Sequence, residues 1–468
     1  MDVIIIGAGM AGLAAARELS ENGIKPLVLE ARDRIGGRVF TEFSGSGDIP
    51  IELGAEFVHG RPVETFSIAK EANIEIVETA GNSWYLNEKR ELVPAGDEPP
   101  GNDDETWESI SQYAKGHSDI SFEDFLRQSE SSDISVHEKE WLRRFVAGFH
   151  AAELKKAGLK ALVKTSEAEE AIDGDRAFRL PTGYHALPKY LKAKAEENGV
   201  KLLLNQHVTE VRWGNGNVVV ATNAPDGPKR YQADKLLVTL PAGVLKSSPE
   251  SAGYVRFVPE LIEKRRALEK IEMGAASRIV LSFRAKWWID HLAKIDQKRS
   301  ELGFLFAQRV PISVWWSSEP LDGALLTGWA GGKKAIETSE LDAHEFEKIA
   351  VESLAQIFKV EVPYIRQQLV SSHYHNWETD SFSCGAYTYL GVGGVDAPAE
   401  LARPIQNTLY FAGEATNYDG HWGTVHGAIS TGIRAAREIL ETPKLLIFAI
   451  LSISFASDNK DYVIRRPD

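Results

Sequence analysis

Near the start of the chain, Gly7-Ala8-Gly9-Met10-Ala11-Gly12 sets three glycines at the spacing G-x-G-x-x-G. Gly7 permits a tight turn, Gly9 lets the backbone reach a pyrophosphate, and Gly12 allows close packing of a helix on a strand. The N–H groups at the start of that helix have no partners of their own, so they attract an anion. Glu30 follows 18 residues after Gly12. A carboxylate there accepts hydrogen bonds from ribose hydroxyls and repels a 2′-phosphate, which points away from NADP. Directly after it come Ala31, Arg32, Arg34, a second glycine pair at Gly36-Gly37, and Arg38. Glycines let such a loop close over a ligand, and Arg32 or Arg38 can neutralise a diphosphate.

These groups need a strand, a turn, a helix and a second strand to hold them, and the sequence supplies all four. Residues 2–6 are an apolar β-branched run, Met10 to Asn22 has helical spacing, and Lys25 to Glu30 is a second apolar strand. That is a βαβ unit, which predicts a parallel sheet with a right-handed crossover. Residues 85–150 differ: they are acidic, with Pro and Gly near 94–101, then amphipathic patterns at Trp107–Tyr113 and Glu138–Phe149. Strands return at 202–204, 208–213, 218–221 and 236–240, and a further sheet is expected from 279–283, 303–316 and 324–329, with a helix at 343–358. The chain then offers a strand at Thr408–Ala412, a turn with Gly420 and Gly423, and a long helix from about Val425 to Leu440. No repeat with a period of 20–50 residues is visible.

The chain has 468 residues, 43% hydrophobic and 26% charged, which excludes disorder as the main state and any low-complexity fibre. Its formal net charge of −14 repels nucleic acid and favours small cations. The single cysteine, Cys384, excludes an intrachain disulfide and a cysteine-ligated metal, and no metal is expected. Val3 to Ile6 has no basic region before it, so it reads as a buried strand. Leu445 to Ala456 is apolar but only 12 residues long, short of the ~20 a bilayer requires, so no stable membrane span is expected. Cytoplasmic placement is the default expectation. The acidic run Glu167, Glu169, Glu170, Asp173 and Asp175 reads as a solvated face.

Taken with its glycines, Glu30-Ala31-Arg32-Asp33-Arg34-Ile35-Gly36-Gly37-Arg38 resembles the E-A-R-x-R-x-G-G-R motif of the flavin-containing amine oxidase family. The resemblance continues through Leu53-Gly54-Ala55-Glu56-Phe57-Val58-His59-Gly60, Phe178 to Tyr184, Val208 to Val211 and Leu237 to Pro241. It ends in Tyr410 to Thr416 and Thr424 to Ala428, while residues 85–175 and those after 441 are poorly covered. It implies an α/β fold in which a Rossmann-like, glutathione-reductase-type FAD domain is interleaved with a substrate domain of mixed sheet and helices. The expected parts are 1–80, 176–250 and 396–445 for FAD, 81–175 for a helical substrate part, 251–395 for its sheet, and 446–468 for a tail.

By the same resemblance, the FAD-binding set is Gly7, Gly9, Gly12, Glu30, Ala31, Arg32, Gly36, Gly37, Arg38, Gly54, Ala55, Glu56, Val208, Gly413, Glu414, Thr424 and Val425. FAD is expected to be noncovalent, because Ala386 stands where monoamine oxidases carry the attaching Cys. The catalytic set is Arg278, His59, Tyr387, Trp377 and Thr424. Tyr387 is similar to one side of the monoamine oxidase aromatic cage, and Thr424 in place of the other side is the pattern of animal-type polyamine oxidases and of histone demethylases. His59 occupies the place where several polyamine oxidases keep a His near the substrate amine. Arg278 departs from the Lys that relatives use to hold a water at the flavin, and Arg-for-Lys is not conservative. The implied reaction is hydride transfer from an amine α-carbon to flavin N5, then reoxidation by O2. The imine hydrolyses to an aldehyde and H2O2 is released, with polyamines or other primary and secondary amines as substrates. An L-amino-acid oxidase, a desaturase or protoporphyrinogen-type oxidase, and a flavin-binding interaction protein with little turnover stay open as alternatives.

Overall fold

A computed structural model describes residues 2–43, 49–96, 104–128 and 134–442. Its first sheet is parallel, in the order Lys201–Leu203, Leu27–Leu29, Val3–Ile6, Lys235–Val238, Leu409–Phe411. Successive side chains of a strand point to opposite faces. Val3 and Ile5 therefore join a core with the first helix, Met10–Glu21, and the closing helix, Val425–Glu441. Ile4 and Ile6 join a second core with Val208, Val211, Val218 and Val220 on the other face. A strand buried on both faces has no use for polar residues, which explains the unbroken apolar run. The two helices pack closely, since a Cβ on Gly432 would sit 2.2 Å from the Ala11 carbonyl oxygen.

A four-stranded sheet, ordered Gly227–Ala233, Asn217–Ala224, His207–Gly214, Arg256–Val258, covers the second face. Its outer strand, G-P-K-R-Y-Q-A, was not expected from sequence. It is polar because it is an edge with side chains alternating between solvent and the sheet.

The largest sheet has seven strands, ordered Leu369–Asn376, Ala276–Phe283, Leu325–Gly331, Val314–Ser317, Leu302–Phe306, Asn82–Leu86, Leu92–Pro94. The stretch 81–175, expected to be helical, therefore opens with two strands. Asn82–Leu86 pairs parallel to Leu302–Phe306, and Trp84 is fully buried in the core of this sheet. Among the described residues of this stretch, the helices are Asp104–Gly116, Phe122–Arg127, Val136–Gly148 and Leu159–Glu170. Val136–Gly148 starts on a reciprocal cap, with the Ser135 hydroxyl accepting from Glu138 N–H and the Glu138 carboxylate accepting from Ser135 N–H. The expected apolar segment at 445–456 and the tail lie outside the described residues. Among the described residues, no helix is long and apolar enough to cross a membrane.

Candidate functional site

At the carboxyl end of Val3–Ile6 the glycine turn leads into the first helix. A Cβ on Gly12 would lie 2.1 Å from the Gly7 carbonyl oxygen, so only glycine fits. A Cβ on Gly9 would meet nothing within 4 Å, which leaves that side open. The helix start carries no side-chain cap and no acidic residue in its first turn. Its N–H groups are thus available to an anion. Gly36 N–H donates to the Ala8 carbonyl at 2.9 Å, folding the Gly36-Gly37 loop onto this turn.

Glu30 is buried at the end of the second strand. Its oxygens accept from Ala8 N–H at 2.7 Å and Arg32 N–H at 2.9 Å. Burial pushes its carboxyl pKa up, against those hydrogen bonds and the Arg32 and Arg34 charges. Ala31 is the half-buried residue between the Glu30 carboxylate and Arg32. The Arg32 guanidinium donates to both Asp380 oxygens, at 2.9 and 2.5 Å, and His375 Nε2 lies 2.9 Å from the same carboxylate. Val208 has its side chain in the second core, so only its backbone is left for a ligand.

The other end is formed by Gly413 to Thr424. Arg38 Nη1 donates to Glu414 Oε1 and to the Ala386 carbonyl, both at 2.9 Å. Glu414 also accepts from Gly423 N–H at 2.9 Å and from the Thr388 hydroxyl. Thr424 caps the closing helix, accepting from Gly427 N–H at 3.0 Å and donating to the His421 carbonyl at 2.7 Å. Val425 opens the helix and packs on the first core. A recess lined by Arg38, Thr239, Gly413, Glu414 and Thr416 connects this end to the parallel sheet. Uncapped helix N–H groups, an open glycine face, a buried carboxylate and this recess fit a flavin adenine dinucleotide.

Between the two large sheets runs Leu53 to His59. Leu53 O accepts from Trp377 Nε1 at 2.8 Å, and Ala55 N–H donates to Arg38 O at 3.1 Å. Trp377 is buried with Ala276 and Ala386 and meets His375 edge-on at 4.2 Å. Gly54 O accepts from Arg278 Nη1 at 2.6 Å. Both oxygens of Glu56 are engaged: one takes Arg179, the other takes Arg278 and, at 3.0 Å, Trp316 Nε1. Arg278 is 4% exposed, so it is a fixed member of an Arg–Glu–Arg cluster. Burial pulls its pKa down, and the nearby Glu52 charge pulls it back up. Glu52, taking Tyr184 N–H and the Thr41 hydroxyl at 2.7 Å each, is pushed up to about 7 by burial.

In front of this cluster the aromatic side chains form a closed circuit. Tyr387 stacks on Trp329 with centroids 6.5 Å apart, Trp329 meets Trp316 at 6.2 Å, and Trp316 meets Phe57 at 5.5 Å. Phe57 meets His59 at 5.9 Å, His59 meets Phe149 edge-on at 5.3 Å, and the Tyr387 hydroxyl closes the loop on the Phe149 carbonyl at 2.6 Å. Gly423 ties this ring to Thr424, since a Cβ there would stand 3.5 Å from the Tyr387 ring. Tyr387, Trp329, Phe57, His59 and Phe149 all keep accessible surface. Yet burial lowers His59 to about 4 and pushes the Tyr387 hydroxyl well up. Phe149 is exposed, so the circuit lines a cleft that opens to solvent on that side. Burial also lowers His150, behind Phe149, to about 4, and His426 to about 3 with help from His421 and His59.

The structure thus brings His59 and Tyr387 into one aromatic circuit, sets Thr424 at the helix cap next to Gly423 beside it, and places Trp377 and Arg278 behind it. Phe149, Trp316, Trp329 and Arg179 were not among the sequence-derived candidates. Phe149 ends a helical pattern and the two tryptophans sit in strands, so each reads as core until the fold is known. Among the described residues, no group of His, Cys, Asp and Glu could hold a metal ion.

The family model for flavin containing amine oxidoreductase matches residues 10–440. Lysine-specific histone demethylase 1 homolog 1 of Oryza sativa subsp. japonica is 29% identical over 94% of this chain and 52% of its own length. The chain therefore spans about half of that relative. Polyamine oxidase 4 of the same organism is 29% identical over 93% of this chain and 88% of its own. Wild-type putrescine oxidase bound to putrescine superimposes with a TM-score of 0.76 at 20% identity, covering 94% of this chain and 98% of that one. That likeness shows a shared fold.

Proposed function

The chain belongs to the flavin-containing amine oxidoreductase family, and from that premise we propose that it is an FAD-dependent oxidase of small cationic amines, of the polyamine class. The observation that carries this reading is the aromatic and histidine circuit closed by the Tyr387–Phe149 hydrogen bond beside Thr424. When bound, FAD supplies a two-electron acceptor for the hydride of the amine α-carbon. The rest falls to this chain. Gly7, Gly9, Gly12, Gly36, Gly37 and the first helix hold the pyrophosphate, Glu30 holds the adenosine ribose, and Arg38 with Glu414 holds the ribityl end. Val425 N–H, at the start of the closing helix, favours negative charge at the pyrimidine edge. Tyr387, Phe149, Trp329 and His59 exclude water and orient the amine. His59, held neutral by burial, accepts a hydrogen bond without competing for the substrate's charge.

Noncovalent FAD suits Ala386, which has no nucleophile, and Cys384, whose thiol is pushed up by burial and by Asp380 and Glu378. Molecular oxygen completes the cycle: amine, O2 and water give aldehyde, a smaller amine and H2O2. An amino-acid substrate would need a cation for its carboxylate, and Arg278 and Arg179 beside the cleft are both committed to Glu56. A reducing, cytoplasmic setting suits a single cysteine that is unpaired. The test is peroxide formation with spermine, an N-acetylated polyamine, benzylamine and L-leucine. Turnover of the polyamines is expected, and turnover of leucine alone would move the protein to the amino-acid oxidases.

A further inference from the structure

The loop between Leu369–Asn376 and Tyr387–Leu390 starts with Trp377 and delivers Tyr387 at its end. Its two ends are drawn together by Gly385 N–H, which donates to the Trp377 carbonyl at 2.9 Å. Its tip is held by the cofactor end of the molecule. The Asp380 carboxylate accepts from both prongs of the Arg32 guanidinium, at 2.9 and 2.5 Å, and from Phe382 N–H at 2.9 Å, with His375 Nε2 at 2.9 Å. Arg32 also donates to the Ser383 hydroxyl at 3.1 Å and lies over the Phe382 ring at 5.3 Å. Asp380, Phe382 and Ser383 all belong to this one loop. Burial opposes a charge on Asp380, but the His375 and Arg32 hydrogen bonds hold its carboxyl well below the usual range. It is therefore ionised at neutral pH and offsets the Arg32 charge. The backbone of Arg32 faces the other way, since its N–H donates to Glu30 at 2.9 Å. Arg38 grips the far end of the same loop by donating to the Ala386 carbonyl at 2.9 Å, while Arg34 turns inward onto the Phe40 ring at 3.9 Å.

We infer that Arg32 and Asp380 form a clasp that positions the loop 377–387, and with it Trp377 and Tyr387, against the cofactor end. The Arg32 side chain then serves the amine cleft, and the diphosphate is left to the backbone N–H groups of the glycine turn. This rests on the proposed reading of the turn as the FAD site and of the cleft as the amine site. A two-pronged bond between charged groups fixes distance and orientation together, which a single neutral hydrogen bond does not. Transfer between an amine and its acceptor depends steeply on such placement. Arg32 and Asp380 are positioning residues, since they act through the loop.

The test compares the flavin-loaded protein with Arg32→Gln and Asp380→Asn, singly and together. Flavin fluorescence after dilution gives the FAD Kd at low and at high salt. Anaerobic mixing with spermine gives the amine Kd and the limiting rate of flavin bleaching. In Arg32→Gln the limiting rate is expected to fall about tenfold, with the amine Kd moving far less and the FAD Kd and its salt dependence parental. Asp380→Asn should match it, and the double variant should fall no further, as two residues acting as one pair require. Arg32→Lys keeps the charge without the two-pronged geometry. It should slow bleaching too, and it decides the matter if Arg32→Gln does not fold. An FAD Kd about tenfold weaker in Arg32→Gln, with a flatter salt dependence, would make Arg32 a diphosphate ligand and overturn the proposal. Parental bleaching in that variant, a rise in amine Kd equal to the loss of rate, or additive losses in the double variant would overturn it as well. A parent protein whose flavin neither spermine nor benzylamine bleaches would overturn the amine reading itself, and this proposal with it.

Discussion

The two ends of the candidate site are made from different material. The candidate cofactor end is largely backbone: Gly7 and Gly12 with no room for a side chain, an open face at Gly9, uncapped helix N–H groups, and the buried carboxylates Glu30 and Glu414. The cleft end is side chain: Tyr387, Trp329, Trp316, Phe57, His59 and Phe149 come from separate elements and meet only through tertiary packing. A backbone cradle tolerates little change, because a Cβ on Gly12 would strike the Gly7 carbonyl and one on Gly7 would strike the Thr239 hydroxyl at the end of the neighbouring strand. A side-chain wall can be re-cut one residue at a time. On the proposed function, the difference sets ligand class at one end and substrate choice at the other, so damage should separate into two kinds.

The largest effect should come from Gly12→Val. Its Cβ would collide with the Gly7 carbonyl, an overlap of backbone that no rotamer relieves. The turn must open at a cost of about 3 kcal/mol or more, read as a several-degree fall in melting temperature together with loss of flavin. Next is Glu30→Ala. It removes the acceptor of Ala8 N–H and Arg32 N–H and the ribose partner, and FAD affinity should drop by about tenfold to a hundredfold. A variant purified with full flavin at parental affinity would refute that assignment.

Tyr387→Ala should do the reverse: flavin content stays near parental while kcat/KM for amines falls by roughly a hundredfold, as the wall opens to water. Equal loss of flavin and activity would blur the boundary between the two ends. Tyr387→Phe, which loses only the hydrogen bond to the Phe149 carbonyl, should cost about 1 kcal/mol, or roughly fivefold.

The smallest effect is on acid stability. His150 has its pKa lowered to about 4 in the folded protein, by burial, against ~6.5 unfolded. Below about 6.5 the unfolded chain takes up a proton that the folded one refuses. Its contribution to stability is therefore intact above that pH and lost as pH falls to about 4. Glu52, Glu169 and Glu378, each raised to about 7 by burial, work in the opposite direction. The comparison must be between the parent and His150→Leu: the gap in melting temperature should move in favour of the variant as pH drops from about 7 to about 5. A constant gap would show that His150 is not held neutral.

The same contrast explains what the sequence could reveal. The glycine turn, Glu30 and the first βαβ unit depend on neighbours within a short stretch, so spacing alone identified them. The helix at 343–358 and the start of the closing helix at Val425 were legible for the same reason. Asn82–Leu86 was hidden because its partner, Leu302–Phe306, lies far along the chain and the surrounding residues are acidic and rich in Pro and Gly. Leu369–Asn376 was hidden because five of its eight residues are Ser, His or Asn, as its place at the edge of the sheet allows. In the site, Arg278 was noticed for its departure from Lys. Its pairing with Glu56, shared with Arg179, joins three residues that no local pattern connects.

The most direct measurement is an anaerobic visible spectrum of the purified protein titrated with spermine, N-acetylated polyamine, benzylamine and L-leucine. Bleaching of a flavin band by a polyamine, with leucine inert, is the expected result and would tie the backbone cradle and the aromatic cleft to one reaction. A flavin band that no amine bleaches would contradict it, leaving a cradle that holds its cofactor beside a cleft that does not bind amines for oxidation.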